Sequence, residues 1–201
     1  MFARLLRLIA AVSAAATLSA CVAGQSIDLK YQEPVNKVAV QGNTVSVQVK
    51  DERPYVTNAD KTPYYIGHYR AGFGNTWDVT TEGKKPLADL MTRDLGSELT
   101  SMGFQVAPAD RSKSQIEVLI REWNFDTYIN GKFWYLVEVN AKSAGGMVLS
   151  QKTLKDQIVI EGDVVTGAKY AFEEEMPKIY NRILRAMIRD NSALVDNLQR
   201  P

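Results

Sequence analysis

Apolar and polar residues alternate along several short stretches of the chain, and such alternation predicts half-buried β-strands. Residues 45–49 alternate valine with polar residues, and Pro54 ends the strand that they predict. Asn130-Gly131 separates two later stretches and indicates a hairpin turn. Further short strands are predicted over 27–31, 104–106, 116–125, 133–141 and 147–160.

Two longer segments repeat apolar residues every three or four positions, which predicts amphipathic helices. The first begins near Pro86 and ends at Gly103, a residue suited to the left-handed turn that closes a helix. The second runs from about 168 to 190, where Pro177 indicates either a later helix start or a kink. A short helix follows Asn191-Ser192. These elements predict an α+β fold of two layers, with a mostly antiparallel sheet of about four to five strands and two amphipathic helices on one face.

Residues 55–85 show no sustained periodicity, so they predict a long loop with at most a short strand near 64–66. The stretch is rich in aromatic residues, which argues against disorder and predicts that it packs on the domain. Aromatic residues and arginine are enriched at interface hot spots. The partner-binding residues that this predicts are Tyr64, Tyr65, Tyr69, Arg70, Phe73 and Trp77. The alternative is that these aromatics complete the core of a thin two-layer fold.

The N-terminal residues have the layout of a secretory signal peptide, with Arg4 and Arg7 followed by a short apolar run. The run is shorter than the roughly 20 apolar residues that a membrane-spanning helix needs. Residues 18–21, Leu-Ser-Ala-Cys, resemble the lipobox of bacterial lipoproteins. That resemblance implies cleavage before Cys21, attachment of a diacylglycerol to its sulfur through a thioether, and palmitate as an acyl group of the anchor. An ordinary signal peptide followed by an unrelated cysteine is the alternative.

The chain is therefore predicted to divide into three parts: a signal peptide at 1–20, a lipidated N-terminus and tether at 21–33, and one α+β domain at 34–201. Val22 follows the cysteine where an inner-membrane lipoprotein would carry Asp, so the sorting rules of such lipoproteins favour the periplasmic face of the outer membrane. Cys21 is the only cysteine, so the domain has no internal disulfide and depends on its apolar core.

Charge and motifs narrow the function further. The chain has 24 basic and 23 acidic side chains, and loss of Arg4 and Arg7 leaves 22 against 23. This near balance argues against a nucleic-acid-binding protein. His68 is the only histidine, no metal-ligand spacing or serine-nucleophile motif occurs, and no cofactor or catalytic residue is predicted. Asp51 and Arg53 are interpreted as an ion pair that fixes the start of the long loop.

Four segments carry a resemblance to the YajG-like family of envelope lipoproteins. They are the strand Val45–Arg53 with its acidic and arginine end, Ile66-Gly67, Gly72–Asn75, and the helix end with its strand over 99–106. The resemblance covers most of residues 40–200 and implies a partner in an assembly, and the family has no assigned chemistry that would apply to this chain.

The predicted function is a non-catalytic, lipid-anchored adaptor or accessory subunit that binds the membrane through Cys21 and an envelope protein through its sheet edge or its aromatic loop. The alternative is a lipid- or glycan-binding auxiliary component of an envelope transport system. A closed apolar cavity between helices and sheet would favour the alternative, whereas a packed core with an exposed aromatic patch would favour the adaptor. The sequence does not predict an oligomeric state.

Overall fold

A computed structural model of the protein describes residues 25–33, 43–70, 75–127, 130–162 and 169–199. Eight β-strands in these residues form one mixed sheet that curls strongly into a half-barrel. The strands are β1 (Gln25–Ile27), β2 (Thr44–Asp51), β3 (Tyr65–Arg70), β4 (Thr76–Thr81), β5 (Gln105–Val106), β6 (Ser114–Thr127), β7 (Gly131–Ser143) and β8 (Val148–Ile160).

Four α-helices accompany the sheet in the described part of the chain. They are α1 (Pro54–Thr57), α2 (Leu87–Ser101), α3 (Lys169–Met187) and α4 (Ser192–Gln199), with short 3₁₀ turns at Glu82–Lys84 and Ala109–Arg111. Helix α2 packs on β2, whereas α3 and α4 pack on β8, so the apolar core lies between helices and sheet. No described helix is both long and apolar enough to cross a membrane.

The predicted two-layer, mostly antiparallel sheet of four to five strands is wrong. Antiparallel pairing occurs only in β3–β4 and along β6–β7–β8. The pairs β1–β4, β2–β5, β2–β6 and β3–β6 are all parallel. Alternation along one strand shows which face is buried but not the direction of its neighbour, and β1 and β5 are too short to show alternation at all.

The predicted long loop over 55–85 is also wrong, because it contains α1, β3 and β4. Strand β3 lacks the alternation of apolar and polar residues that predicts a strand. Tyr65, Ile66 and Gly67 are all buried, and the register with β4 shifts between Tyr65 and Gly67. An added Cβ on Gly67 would lie 2.6 Å from the Phe125 ring and 2.7 Å from the Phe125 carbonyl oxygen. Glycine therefore allows β3 to approach β6 closely.

The predicted helix ends agree with the structure in one case and not in the other. Gly103 follows α2 with φ +89°, and the Phe104 N–H donates to the Leu99 carbonyl at 3.1 Å, which closes the helix as predicted. Helix α3 begins at Lys169 and includes Pro177 in its interior. A helix start at the proline is therefore wrong.

Strand β6 organises the sheet because β2 and β3 share one of its edges. β2 pairs with residues 114–120 of β6, and β3 pairs with Asp126 and Thr127. β7 occupies the other edge along its whole length. Between the two partners, the backbone of β6 near Trp123 faces a gap that a third group has to fill.

Arg53 fills this gap, and its side chain is fully buried. Its Nη1 donates to the Tyr65 carbonyl at 2.6 Å and to the Trp123 carbonyl at 3.5 Å. Its Nε and Nη2 donate to the two carboxylate oxygens of Asp51 at 2.7 and 2.6 Å. The Tyr55 hydroxyl also donates to the Trp123 carbonyl, at 2.7 Å. The predicted structural role of the Asp51–Arg53 pair is thus confirmed.

Candidate functional site

An open groove of about 750 Å³ lies at the β1–β4 edge of the sheet. It is called the edge groove here, and it is lined by Gln25, Ser26, Thr62, Tyr64, Trp77 and Lys84, among other residues. Strand β4 holds Trp77, and the turn before β3 holds Tyr64, so the β3–β4 hairpin supplies both rings. Both rings are half-buried, and polar groups surround them. The surface is therefore amphipathic.

The structure separates the residues that the sequence predicted as one partner-binding set. Tyr64 and Trp77 meet in the edge groove, and Tyr69 pairs with Trp77 across the hairpin while packing on the core. Tyr65 is 4% exposed and packs edge-on against Tyr55, with ring centroids 5.5 Å apart.

Three further predicted positions lie outside the edge groove or outside the described residues. Arg70 is exposed and forms a two-pronged ion pair with Asp126, Nε to Oδ1 at 2.9 Å and Nη2 to Oδ2 at 2.6 Å. Phe73 and the predicted lipidation residue Cys21 lie outside the described residues.

His68 belongs to a row of polar side chains that sequence reasoning did not assemble. Its Nε2 lies 3.2 Å from Asp126 Oδ1, and its Nδ1 lies 3.2 Å from the Tyr65 hydroxyl oxygen. The Tyr65 hydroxyl also donates to Asn124 Oδ1 at 3.1 Å. A carboxylate, an imidazole and a hydroxyl in a row resemble the order of a nucleophile triad.

Burial and an ion pair shift the pKa values of two members of this row. Burial is the main cause that raises the pKa of Tyr65 well above its ordinary value, so the hydroxyl stays protonated. The hydrogen bond from Arg70 is the main cause that lowers the pKa of Asp126, and the nearby His68 adds to it. His68 is therefore best described as a histidine that is held in place by Asp126 and Tyr65. Among the described residues, no three His, Cys, Asp or Glu side chains are grouped so that they could hold a metal ion.

An exposed apolar tip lies where β7 turns into β8. Met147, Val148 and Leu149 are 66%, 50% and 37% exposed, and Gly146 before them adopts φ +83°. These three consecutive residues are called the far-end tip. Sequence reasoning missed it because the run was assigned to a half-buried strand, although a Gly-Gly turn directly precedes it. Contiguous exposed apolar residues mark interaction surfaces more often than scattered ones do.

The far-end tip and the edge groove lie at opposite ends of the sheet. Ser114 of β6 pairs with Ser143 at the end of β7, close to the tip. At the other end of β6, Asp126 pairs with His68 of β3. The neighbouring Gly67 pairs with Val79 of β4, and Val79 pairs with Gln25 of β1, so the edge groove lies at this level of the sheet. At about 3.3 Å per residue, the two levels on β6 are roughly 35 Å apart.

No protein-family model matches the sequence, and a search of the curated proteins finds no match. Solved structures do match in fold. A Xanthomonas campestris protein of the DUF330 family has 11% identity and a TM-score of 0.54 over 85% of this chain and 98% of its own. An uncharacterized protein has 12% identity and a TM-score of 0.55 over 84% of this chain and 99% of its own.

The structural neighbours also include proteins described as lipoproteins. A minor lipoprotein from Acinetobacter baumannii has 11% identity and a TM-score of 0.40, over 80% of this chain and 95% of its own. The two neighbours with higher scores show that the fold is shared with proteins of nearly the same domain length.

Proposed function

We propose that the chain is a lipid-anchored, non-catalytic lipoprotein of the bacterial envelope that acts as a protein-binding adaptor or accessory subunit. In this proposal Cys21 carries the lipid at the periplasmic face of the outer membrane, and the domain binds an envelope protein. The YajG-like resemblance, carried by segments such as Val45–Arg53 and Ile66-Gly67, supports the same assignment.

The far-end tip is the observation that carries the adaptor proposal. It exposes three adjacent apolar side chains at the end of the sheet opposite β1, and Cys21 lies only four residues before β1. Val106, 45% exposed, belongs to the same end because Val45 pairs with both Val106 and Ser114. An anchor at one end and an apolar surface at the other suit a protein that presents a binding surface away from the membrane.

The interior of the domain favours an adaptor over a ligand carrier. Apolar side chains from the sheet and from α2, α3 and α4 fill one continuous core. The edge groove and a second groove of about 560 Å³ beside Trp134 are both open to solvent. Small-molecule sites are typically concave pockets that bury most of the ligand. The recognition surfaces are therefore on the outside of this domain.

Photocrosslinking from the tip tests the proposal. A photoreactive amino acid at Val148 is compared in cells with the same amino acid at Thr153, an exposed residue of the same strand that lines neither groove. The proposal expects a protein adduct from position 148 that is absent or much weaker at position 153. Adducts to lipid alone from position 148 would refute the adaptor and support the lipid-binding alternative.

A further inference from the structure

The edge groove lies within a short, fixed reach of the proposed lipid anchor. Cys21 and Gln25 are four residues apart, and a fully extended chain of this length spans at most about 14 Å. Gln25 and Ser26 themselves line the edge groove. Whatever conformation the connecting residues adopt, lipidation of Cys21 would hold this groove close to the bilayer surface.

The direction of β1 places Trp77 on the anchor side of the groove. β1 runs parallel to β4, and Gln25 is level with Val79. Trp77 precedes Val79 by two residues, so it lies about 7 Å further towards the end of the sheet from which β1 enters. The chain that leads back to Cys21 therefore leaves the sheet on the side of Trp77.

The chemistry of the groove matches the boundary between lipid and water. Tryptophan and tyrosine are enriched at membrane interfaces, because their rings are apolar and their N–H and O–H groups remain hydrogen-bonded. Trp77 and Tyr64 supply such rings, and Lys84 lines the same groove. A lysine side chain can place its stem on the apolar surface and its amine among the headgroups.

We infer that the edge groove seats on the phospholipid headgroup layer of the bilayer that holds the Cys21 lipid, with Trp77 and Tyr64 in the interface. This inference rests on the proposed lipid anchor. It assigns to the membrane two residues that the sequence predicted as protein-binding. It also fixes the orientation of the domain, because a groove held at the bilayer leaves the far-end tip exposed to the periplasm.

Tryptophan quenching by headgroup-labelled lipid tests the inference on the full, acylated chain. In W134F, the remaining tryptophans are Trp77 and the fully buried Trp123, which gives a constant background. The matched control is W77F/W134F/M147W, which moves the exposed tryptophan to the far-end tip. Both chains are reconstituted in vesicles of phosphatidylethanolamine and phosphatidylglycerol, with and without a phospholipid that carries a nitroxide on its headgroup.

The inference expects the nitroxide to quench emission in W134F and to leave emission in the M147W control unchanged. Equal quenching in both chains, or no quenching in W134F on vesicles that carry the protein, would overturn it. A protein adduct from a photoreactive amino acid that replaces Trp77 would overturn it as well, because it would show that the edge groove binds a protein. Vesicle flotation and mass spectrometry of Cys21 distinguish failure of the lipid anchor from failure of the groove inference. A chain that carries no lipid on Cys21 and does not float with the vesicles would refute the proposed anchor itself.

A second measurement avoids the tryptophan substitutions. With Cys21 blocked by its thioether, K84C and L149C each offer a single free thiol for an environment-sensitive fluorophore. The label on K84C should shift its emission to the blue when the protein moves from detergent-free buffer onto vesicles, and the label on L149C should not. The reverse pattern would place the far-end tip, and not the edge groove, on the membrane.

Discussion

Arg53 and Asp51 form a two-pronged ion pair across a single intervening residue, and the same guanidinium donates to the backbone of two further segments. One of its acceptors is the Tyr65 carbonyl at the start of β3, and another is the Trp123 carbonyl in the middle of β6. Asp51 ends β2, so one side chain joins the three strands that meet at this point. This relationship gives a local sequence motif a role in the architecture of the whole sheet.

Replacement of Arg53 by methionine should strongly destabilise the protein. The substitution keeps most of the side-chain volume but leaves the Asp51 carboxylate and the Tyr65 carbonyl without the guanidinium that donates to them, whereas Tyr55 still donates to the Trp123 carbonyl. Loss of one partner from a buried ion pair typically lowers the free energy of unfolding by about 3–5 kcal/mol. Urea unfolding followed by circular dichroism measures the change. R70M is the matched control, since Arg70 pairs with Asp126 at the surface, and it should change stability far less.

Glu117 should make stability depend on pH in the acidic range. Burial alone would raise the pKa of Glu117, but hydrogen bonds from Lys142, Lys50 and Asn140 outweigh it and lower the pKa to about 2. The folded state therefore favours the carboxylate over the protonated acid, so its contribution is complete above about pH 4.5 and declines as the pH falls towards 2. Unfolding free energies of the wild type and of E117Q, measured from pH 6 to pH 2, should converge as the acid is protonated. A constant difference across this range would contradict the prediction.

Two glycine-to-alanine substitutions should have opposite effects. Gly67→Ala places a Cβ 2.6 Å from the Phe125 ring, and such overpacking typically costs about 1–3 kcal/mol. Gly96→Ala adds a methyl group in the interior of α2, where the nearest atom lies 3.9 Å away, and it should stabilise the helix by about 0.5–1 kcal/mol. Thermal and urea unfolding of the two variants provide the measurement. A neutral or stabilising Gly67→Ala would show that the close approach of β3 to β6 is not rigid, and a destabilising Gly96→Ala would contradict the helix prediction.

The far-end tip should contribute to binding without contributing to stability. Substitution of Met147, Val148 and Leu149 by threonine keeps residues that suit a strand and removes the exposed apolar surface. Exposed substitutions usually change the free energy of unfolding by no more than about 0.5 kcal/mol each. Pull-down from detergent-solubilised membranes should lose the protein partner with the triple variant. Q151S/T153S, at exposed positions of the same strand outside both grooves, should retain it, and loss of the partner with both variants would argue against a specific role for the tip.

Cys21→Ala should remove the lipid and release the domain from the membrane. Metabolic labelling with a palmitate analogue should mark the wild type and not the variant. Fractionation of the envelope should then find any processed variant in the periplasm, because a single interfacial surface gives only weak, reversible attachment. Continued labelling of C21A would show that the lipid is attached elsewhere. Retention of an unlabelled variant on the membrane would show that the edge groove alone provides stable attachment.

The parts of the fold that could be predicted are those in which one chain segment carries a complete signal. The strand ending at Asp51, the Asn130-Gly131 hairpin between β6 and β7, and the close of α2 at Gly103 all follow from local patterns. Each depends on neighbours in sequence, through alternation, a turn dipeptide or a left-handed cap. The buried Arg53 is similar, since its proximity to Asp51 already indicated a pair.

The sheet topology and the division of the aromatic set could not be predicted in this way. Whether β2 runs parallel to β6 depends on contacts between residues almost 70 positions apart, which alternation does not reveal. Tyr65 and Trp77 look alike in the sequence, yet Tyr65 is buried against Tyr55 and Trp77 lies in the edge groove. The exposure of the far-end tip could not be predicted, because an apolar run at the start of a strand has the same sequence pattern whether it faces the core or the solvent.

The shared edge of β6 has a consequence for the order in which the protein can be built. A chain exported from its N-terminus delivers β1 to β4 long before β6, yet in the described structure β2 pairs only with β5 and β6. Until residues 114–127 arrive, the edges of β2 and one edge of β3 have no partner, and such open edges invite pairing with other chains. Contacts between distant residues also slow folding. A fragment that stops before β6 would keep the pairing of β1, β4 and β3 but would leave β2 without its main partner, so under the proposed export the first half of the chain would need protection until β6 arrives.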